Sequence, residues 1–136
     1  MGKSTFHGSC VSRRGIAIIS RQYQPASSYV AAFREILGAE NVMTEAIDIE
    51  KYTVDWTTFY RGGSVVCFPR STRDVSNILK FCNENKIGVV PQGGNTGLVG
   101  GAVSLPGESD NQLIISMEKM KTIYSIDEGV LVCDAG

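Results

Sequence analysis

Ser64-Val65-Val66-Cys67-Phe68, stopped by Pro69, is followed by Arg70-Ser71-Thr72-Arg73-Asp74 and later by Ile87-Gly88-Val89-Val90. The first run is short, apolar and ended by a proline, which suits a strand buried on both faces. Ser71-Thr72-Arg73-Asp74 has the S-x-x-[DE] pattern of a helix start. Val75, Ile78, Leu79 and Cys82 then recur at i, i+3, i+4 and i+7, as one apolar helical face requires. Asn85 ends that helix, and the second apolar run is another strand. Strand, helix, strand over residues 64–91 predicts parallel strands joined by a right-handed crossover, with those four side chains buried.

Directly after the second strand comes Pro91-Gln92-Gly93-Gly94-Asn95-Thr96-Gly97-Leu98-Val99-Gly100-Gly101, with five glycines in eleven residues. Such a segment is a poor helix or strand interior, because glycine adds no packing and costs conformational entropy. Successive glycines do let peptide N–H groups converge into a concave nest for an anion such as a diphosphate, with Asn95 and Thr96 adding short polar side chains. A tight turn at a crowded strand end has the same composition, and the pattern alone leaves both readings open. There is no lysine in the loop for a G-x-x-x-x-G-K-[ST] motif and no G-x-G-x-x-G register, so a Walker-type triphosphatase and a Rossmann NAD site are disfavoured.

Outward from this centre the chain is less explicit. Ser28 is placed to cap a helix over Tyr29 to Leu37, with Val30, Phe33, Ile36 and Leu37 on one side and Gly38 as its stop. Glu40 to Trp56 mixes apolar residues and acids without a firm period. Gln112 to Ser116, Thr122 to Ile126 and Val130 to Cys133 read as three further strands. Asp55, Trp56 and Arg61 read as a surface ion pair beside a packed indole, against a functional alternative.

The 136 residues are 43% hydrophobic with a net charge of −1, the composition of one ordinary domain. No apolar run approaches the ~18 residues of a membrane span. From Met1 to Arg34 there are five basic residues and no acidic one, leaving eight of the 13 basic residues against all 14 acidic ones. An acid-free leader with arginine and serine has the composition of a mitochondrial transit peptide, the alternative being a disordered tail. The acidic body argues against nucleic acid as a partner. Cys10, Cys67, Cys82 and Cys133 lack zinc-ligand spacing, and His7 is the one histidine.

The string Val89 to Gly101 resembles the FAD pyrophosphate loop of D-2-hydroxyglutarate dehydrogenases of the vanillyl-alcohol oxidase (PCMH) type, which are similar to FAD-linked D-lactate dehydrogenases. The Pro-Gln-Gly-Gly-Asn-Thr-Gly form resembles the hydroxyglutarate branch more. Val54-Asp55-Trp56, Tyr60-Arg61-Gly62, Phe68-Pro69-Arg70-Ser71-Thr72 and Val132-Cys133-Asp134-Ala135-Gly136 sit where that family has similar residues, so the resemblance covers about residues 29–136. Ala102 to Ser109 is longer and more polar than the family's usual connection.

The resemblance implies an α/β (α+β) fold: the first subdomain of a PCMH-type FAD-binding domain, a small parallel sheet with flanking helices, incomplete at its C-terminal end. With the leader that composition places over 1–27, the chain divides into a helical region over 28–63 and the FAD-binding part that the resemblance implies over 64–136. It implies noncovalent FAD, since no histidine lies near the loop. Gly93, Gly94, Asn95, Thr96 and Gly97 would then face the phosphates. Leu98, Val99, Gly100 and Gly101 would line the path toward the isoalloxazine, and Pro69, Pro91 and Gln92 would complete the cofactor site. In a whole protein it implies oxidation of the small-molecule 2-hydroxy acid D-2-hydroxyglutarate to 2-oxoglutarate, with D-lactate as the alternative substrate. The electron acceptor is not implied. The location is the mitochondrial matrix, the cytoplasm being the alternative. No catalytic residue is assigned in this stretch, and a truncated, inactive flavin-binding piece is the competing expectation.

Overall fold

Val65, Val66 and Cys67 form β2 (Val65–Cys67), and none of the three is exposed at all. They lie in a four-stranded sheet of order β1-β2-β4-β3, with β1 (Val42–Met43), β3 (Gly88–Gln92) and β4 (Gln112–Ser116). The computed structural model describes residues 26–104 and 112–136. Residues 1–25 of the expected leader, with His7 and Cys10, and most of the 102–109 connection lie outside the described residues, whereas its last two residues, Ala26 and Ser27, open a 3-10 turn in which Ala26 is fully buried in the core.

β2 and β3 both run parallel to β4, as the strand-helix-strand reading requires, but β4 is inserted between them. Val66 and Val90 each stand opposite Ile114 on its two sides. β4 takes the centre because Leu113, Ile114 and Ile115 are apolar on both faces and all but completely buried. β1 closes the other edge antiparallel to β2.

Strand alternation sorts the core into two layers. Val65, Cys67, Leu113 and Ile115 face one side with Phe33, Ile78 and Cys82, from α1 (Val30–Leu37) and α3 (Thr72–Asn85). Val66, Phe68, Val90 and Ile114 face the other, with Ile49 and Tyr52 of α2 (Ala46–Thr53). The stretch without a sequence period therefore holds β1 and α2, and residues 28–63 share the sheet and both cores.

Local chemistry explains the helix ends. The Ser71 Oγ accepts from the Asp74 N–H at 3.1 Å, while Asp74 Oδ2 accepts from the Arg70 N–H at 3.0 Å, so both sides of the expected cap are used. Lys86 ends α3 in the left-handed region at φ 56°. Gly38 stops α1 at φ 87° with its N–H on the Arg34 carbonyl. Ser28 does not cap α1. It lies inside a 3-10 turn, Ala26–Tyr29, and the helix begins after Tyr29 without a side-chain cap.

The buried face of α3 is also rotated from the one expected. Ile78 and Cys82 are buried and Val75 is half-buried, but Leu79 is 45% exposed. Phe81 takes the missing place, edge-on to Tyr29 at 5.6 Å and Phe33 at 5.5 Å. The aromatic pairing draws the helix toward α1, which the helix's own periodicity does not record. Cys67 and Cys82 are free thiols; burial pushes Cys82 up to about 12, and burial beside Cys82 pushes Cys67 higher still.

β5 (Ile123–Asp127) and β6 (Val130–Cys133) pair antiparallel in a separate ribbon, β5 being shifted one residue from the expected Thr122–Ile126. Asp134 ties its mouth, accepting from the Thr122 N–H and the Tyr124 hydroxyl. No helix among the described residues is long and apolar enough to cross a membrane.

Ile78→Ala should cost about 3 kcal/mol of unfolding free energy by leaving a cavity between α3 and the sheet, whereas Leu79→Ala should cost less than about 1 kcal/mol. Urea denaturation of the two variants checks this, and equal losses would mean that the helix face is misplaced.

Candidate functional site

The C-terminal ends of parallel strands are where open α/β sheets seat ligands, and β3 ends there in the glycine-rich loop. The expected site residues divide sharply in the structure. Pro91 and Gln92 belong to β3 rather than to the loop. Pro91 faces solvent, but the Gln92 side chain is turned inward and 2% exposed. Its Nε2 donates to the Tyr52 carbonyl and to the Ala102 carbonyl, both at 2.8 Å. Gln92 thus shapes the loop from beneath and has no amide N–H left for a cofactor. Pro69 is likewise fully buried, so its ring supports the end of β2 and offers no surface to a nucleotide.

Asn95 also departs from its expected role. Its backbone is left-handed at φ 53°, and its Nδ2 donates to the Val54 carbonyl at 2.8 Å and more weakly to that of Lys51 at 3.4 Å. It therefore caps the carbonyl end of α2. Its buried Oδ1 has no partner among the described residues. That oxygen is an acceptor and cannot serve a phosphate oxygen. Thr96 is the member of the pair left facing outward.

The glycines fall into two kinds. Gly100 is buried at φ 71°, and a Cβ there would meet the Tyr60 ring at 2.6 Å, so the fold itself demands glycine. This packing sets Gly100 beneath the loop, against the Tyr60 ring. Gly93, Gly94, Gly97 and Gly101 have no positive φ. A Cβ would meet nothing within 4 Å at Gly97 or Gly101, and only ordinary contacts at 3.9 Å from Gly94 and 3.4 Å from Gly93. Among the described residues, no hydrogen bond uses the backbone N–H of Gly93, Gly94, Thr96 or Gly97. Exposed donors beside missing side chains are what a close-lying anion uses, so the segment fits a diphosphate. Leu98 and Val99 continue the surface at 65% and 83% exposure.

Of the two residues that sequence reading treated as a surface pair, Asp55 braces the loop from outside and Arg61 does not. Asp55 is 3% exposed and does not pair with Arg61; it accepts from Thr57 Oγ1 at 2.6 Å and from the Tyr60 N–H at 3.0 Å. Burial alone would raise its carboxyl, but the hydrogen bonds from Thr57, Tyr60 and Phe59 outweigh it and hold the group below the usual carboxylate range. Arg61 pairs with Glu50 at 3.9 Å instead, and Trp56 is 69% exposed rather than packed. The Asp55 turn fixes Tyr60, whose ring underlies Gly100. Sequence reasoning missed Tyr52 as well. Its hydroxyl donates to Glu118 at 2.7 Å, and burial first, then that hydrogen bond, raises the phenol against the pull of Lys51. An aspartate followed two residues later by threonine was the one local signal for the turn; Tyr52 and Glu118 are 66 residues apart and left none.

Fold and loop together define a small α/β unit with unbonded backbone donors at the end of a parallel strand, a surface that fits a diphosphate. Comparison with known proteins makes this specific. The family model described as "FAD binding domain" matches residues 63–136, and the chain belongs to that family, whose cofactor is FAD. It is 37% identical, over 98% of its length, to the mitochondrial D-2-hydroxyglutarate dehydrogenase of Arabidopsis thaliana, of which it covers 27%. It is also 37% identical to the D-2-hydroxyglutarate–pyruvate transhydrogenase of Saccharomyces cerevisiae, over 81% of this chain and 22% of that one. The structure of p-cresol methylhydroxylase with substrate bound superposes with a TM-score of 0.59 at 26% identity, over 74% of this chain and 20% of that one. The chain thus spans 27% and 22% of the two curated relatives, within a flavin-dependent oxidoreductase family.

Gly97→Ala should leave stability within about 1 kcal/mol, since the Cβ enters open space, while Gly100→Ala should lose about 2 kcal/mol or more through the left-handed backbone and Tyr60. Thermal melts of the apoprotein distinguish them. Asp55 supplies a pH test: because its folded pKa is depressed, its contribution is fully present above the unfolded value of about 3.9 and is lost as pH falls through the folded value. Asp55→Asn should therefore melt below the parent at pH 7, and the gap should narrow below about pH 4.

Proposed function

We propose that this chain is the diphosphate-gripping part of a flavoprotein that oxidises D-2-hydroxyglutarate to 2-oxoglutarate in the mitochondrial matrix. The observation that carries the cofactor half is the set of N–H groups at the exposed residues Gly93, Gly94, Thr96 and Gly97 that no hydrogen bond uses among the described residues, beside glycines that the fold has no steric need for. In this reading those four residues hold the diphosphate, with the Thr96 hydroxyl as a further donor. Gln92, Asn95 and Gly100 act from behind, keeping the loop's curvature through Tyr52, Val54 and Tyr60. Leu98, Val99 and Gly101 form an apolar margin on the isoalloxazine side that keeps water from the diphosphate. Without a histidine beside the loop, the attachment is noncovalent.

The flavin, when bound, supplies acceptance of the hydride from the substrate's C2 carbon. The substrate reading is supported by the names of the Arabidopsis and yeast relatives, each of which includes D-2-hydroxyglutarate. No residue of this chain is assigned to acid–base chemistry. Residues 1–27 would be the mitochondrial address, 28–63 the helical support and 64–136 the FAD-binding part.

Gly94→Val and Gly97→Val place a branched side chain where the phosphates lie, so both should abolish flavin retention while leaving the apoprotein melt within about 1 kcal/mol of the parent. Retained yellow colour in both variants would remove the loop from the cofactor site. In the whole protein, anaerobic addition of D-2-hydroxyglutarate should bleach the flavin faster than D-lactate does, and the reverse order would sink the substrate assignment.

A further inference from the structure

Beyond the ends of β2 and β4 lies a cleft of about 560 Å³, lined by Arg70, Glu118, Lys119 and Lys121 and by no residue of the glycine-rich loop. Two of its lining cations share a partner, Asn41, which is 4% exposed. The Asn41 amide is anchored by donating to the Leu37 carbonyl at 2.7 Å and to Glu40 Oε1 at 3.2 Å. Its Oδ1 accepts from Arg70 Nε at 3.3 Å and from Lys119 Nζ at 2.8 Å. One neutral oxygen thus holds two cations within about 6 Å of each other, a repulsion that a bound anion would relieve. Lys119 is further fixed over the Phe68 ring at 5.2 Å. Neither cation is in an ion pair among the described residues; the nearest carboxylates contact the cluster indirectly, Glu40 through the Asn41 amide and Asp74 through the Arg70 N–H, and Lys119 also donates to the Glu40 carbonyl at 3.5 Å. Glu118, the acid of the cleft, is already held by Lys51 and the Tyr52 hydroxyl.

We propose that this cleft is an oxyanion site distinct from the glycine-rich loop, taking a compact, doubly charged group, either the phosphate of a phosphorylated metabolite or the paired carboxylates of a dicarboxylate. Arg70 and Lys119 are its fixed donors, Lys121 adds a mobile charge at the rim, and Asn41 positions the first two. Preorganisation by a buried amide separates this cluster from a set of freely solvated surface lysines, because the cations lose little freedom on binding.

Titration calorimetry on the 136-residue chain with inorganic phosphate and with malonate tests it, against sodium chloride at matched ionic strength. One of the two anions should bind saturably, and which one does so identifies the source. Lys119→Gln and Arg70→Gln should each weaken binding about tenfold or more, the loss expected for one charge-assisted contact. Lys119→Arg should keep it, Lys80→Gln on the exposed side of α3 should not change it, and Gly97→Val should lose flavin while retaining the anion. Lys121 makes no hydrogen bond or ion pair among the described residues, so Lys121→Gln reads the site without touching the fold and should also weaken binding. Heats no larger than those of chloride, or undiminished affinity in Lys121→Gln and Lys119→Gln, would overturn the proposal.

Discussion

A single buried amide, the side chain of Gln92, couples the three parts of this structure that have to meet for a ligand loop to exist. It closes β3, and its two N–H groups reach α2 at Tyr52 and the far end of the loop at Ala102. Left without these partners, each donor would cost about 1–3 kcal/mol at a buried position. The loop's return toward β3 is thereby compulsory. Tyr52 extends the connection, because its hydroxyl holds Glu118 just past β4 and its ring stands edge-on to Phe68 at 5.0 Å. Helix α2 is consequently tied to the ends of all three parallel strands, and its carbonyl end receives Asn95.

With the loop held from beneath, its outer surface is free of structural duties. Gly100 and Asn95 take the left-handed turns and the close packing, so Gly94 and Gly97 keep ordinary backbone angles and empty surroundings. That division of labour ties the packing to the function: a nest of free N–H groups survives folding only where other residues pin the chain. The same sheet edge is organised differently at β2 and β4. There the buried acceptor Asn41 collects cations, whereas at β3 the buried donor Gln92 collects carbonyls.

The strand-helix-strand unit and its cap were legible because each depends on neighbours in sequence. Val65 to Cys67 are apolar whatever surrounds them, and Ser71 and Asp74 can satisfy the start of α3 by themselves. The place of the loop was legible for the same reason, since consecutive glycines after an apolar strand are a local property, but that pattern left an anion nest and a tight turn both open. The division among the loop residues was not legible. Asn95 and Thr96 are equally polar side by side, and only the arrival of α2 behind the loop turns one inward and leaves the other outside. Pro69 and Gln92 look like site residues by position and are interior by packing.

The amino-acid sequence by itself therefore determined that residues 64–101 make two parallel strands, a capped helix and a glycine-rich loop, since hydrogen bonds between near neighbours and side-chain periodicity are written locally. Tertiary structure alone decided that β4 lies between those strands, that Phe81 replaces Leu79 on the buried face of α3, and that the Asp55 turn supports Gly100 through Tyr60. Each of these is a contact between segments distant along the chain. Its energy comes from burying shared surface, a quantity that neither segment carries until the other is in place.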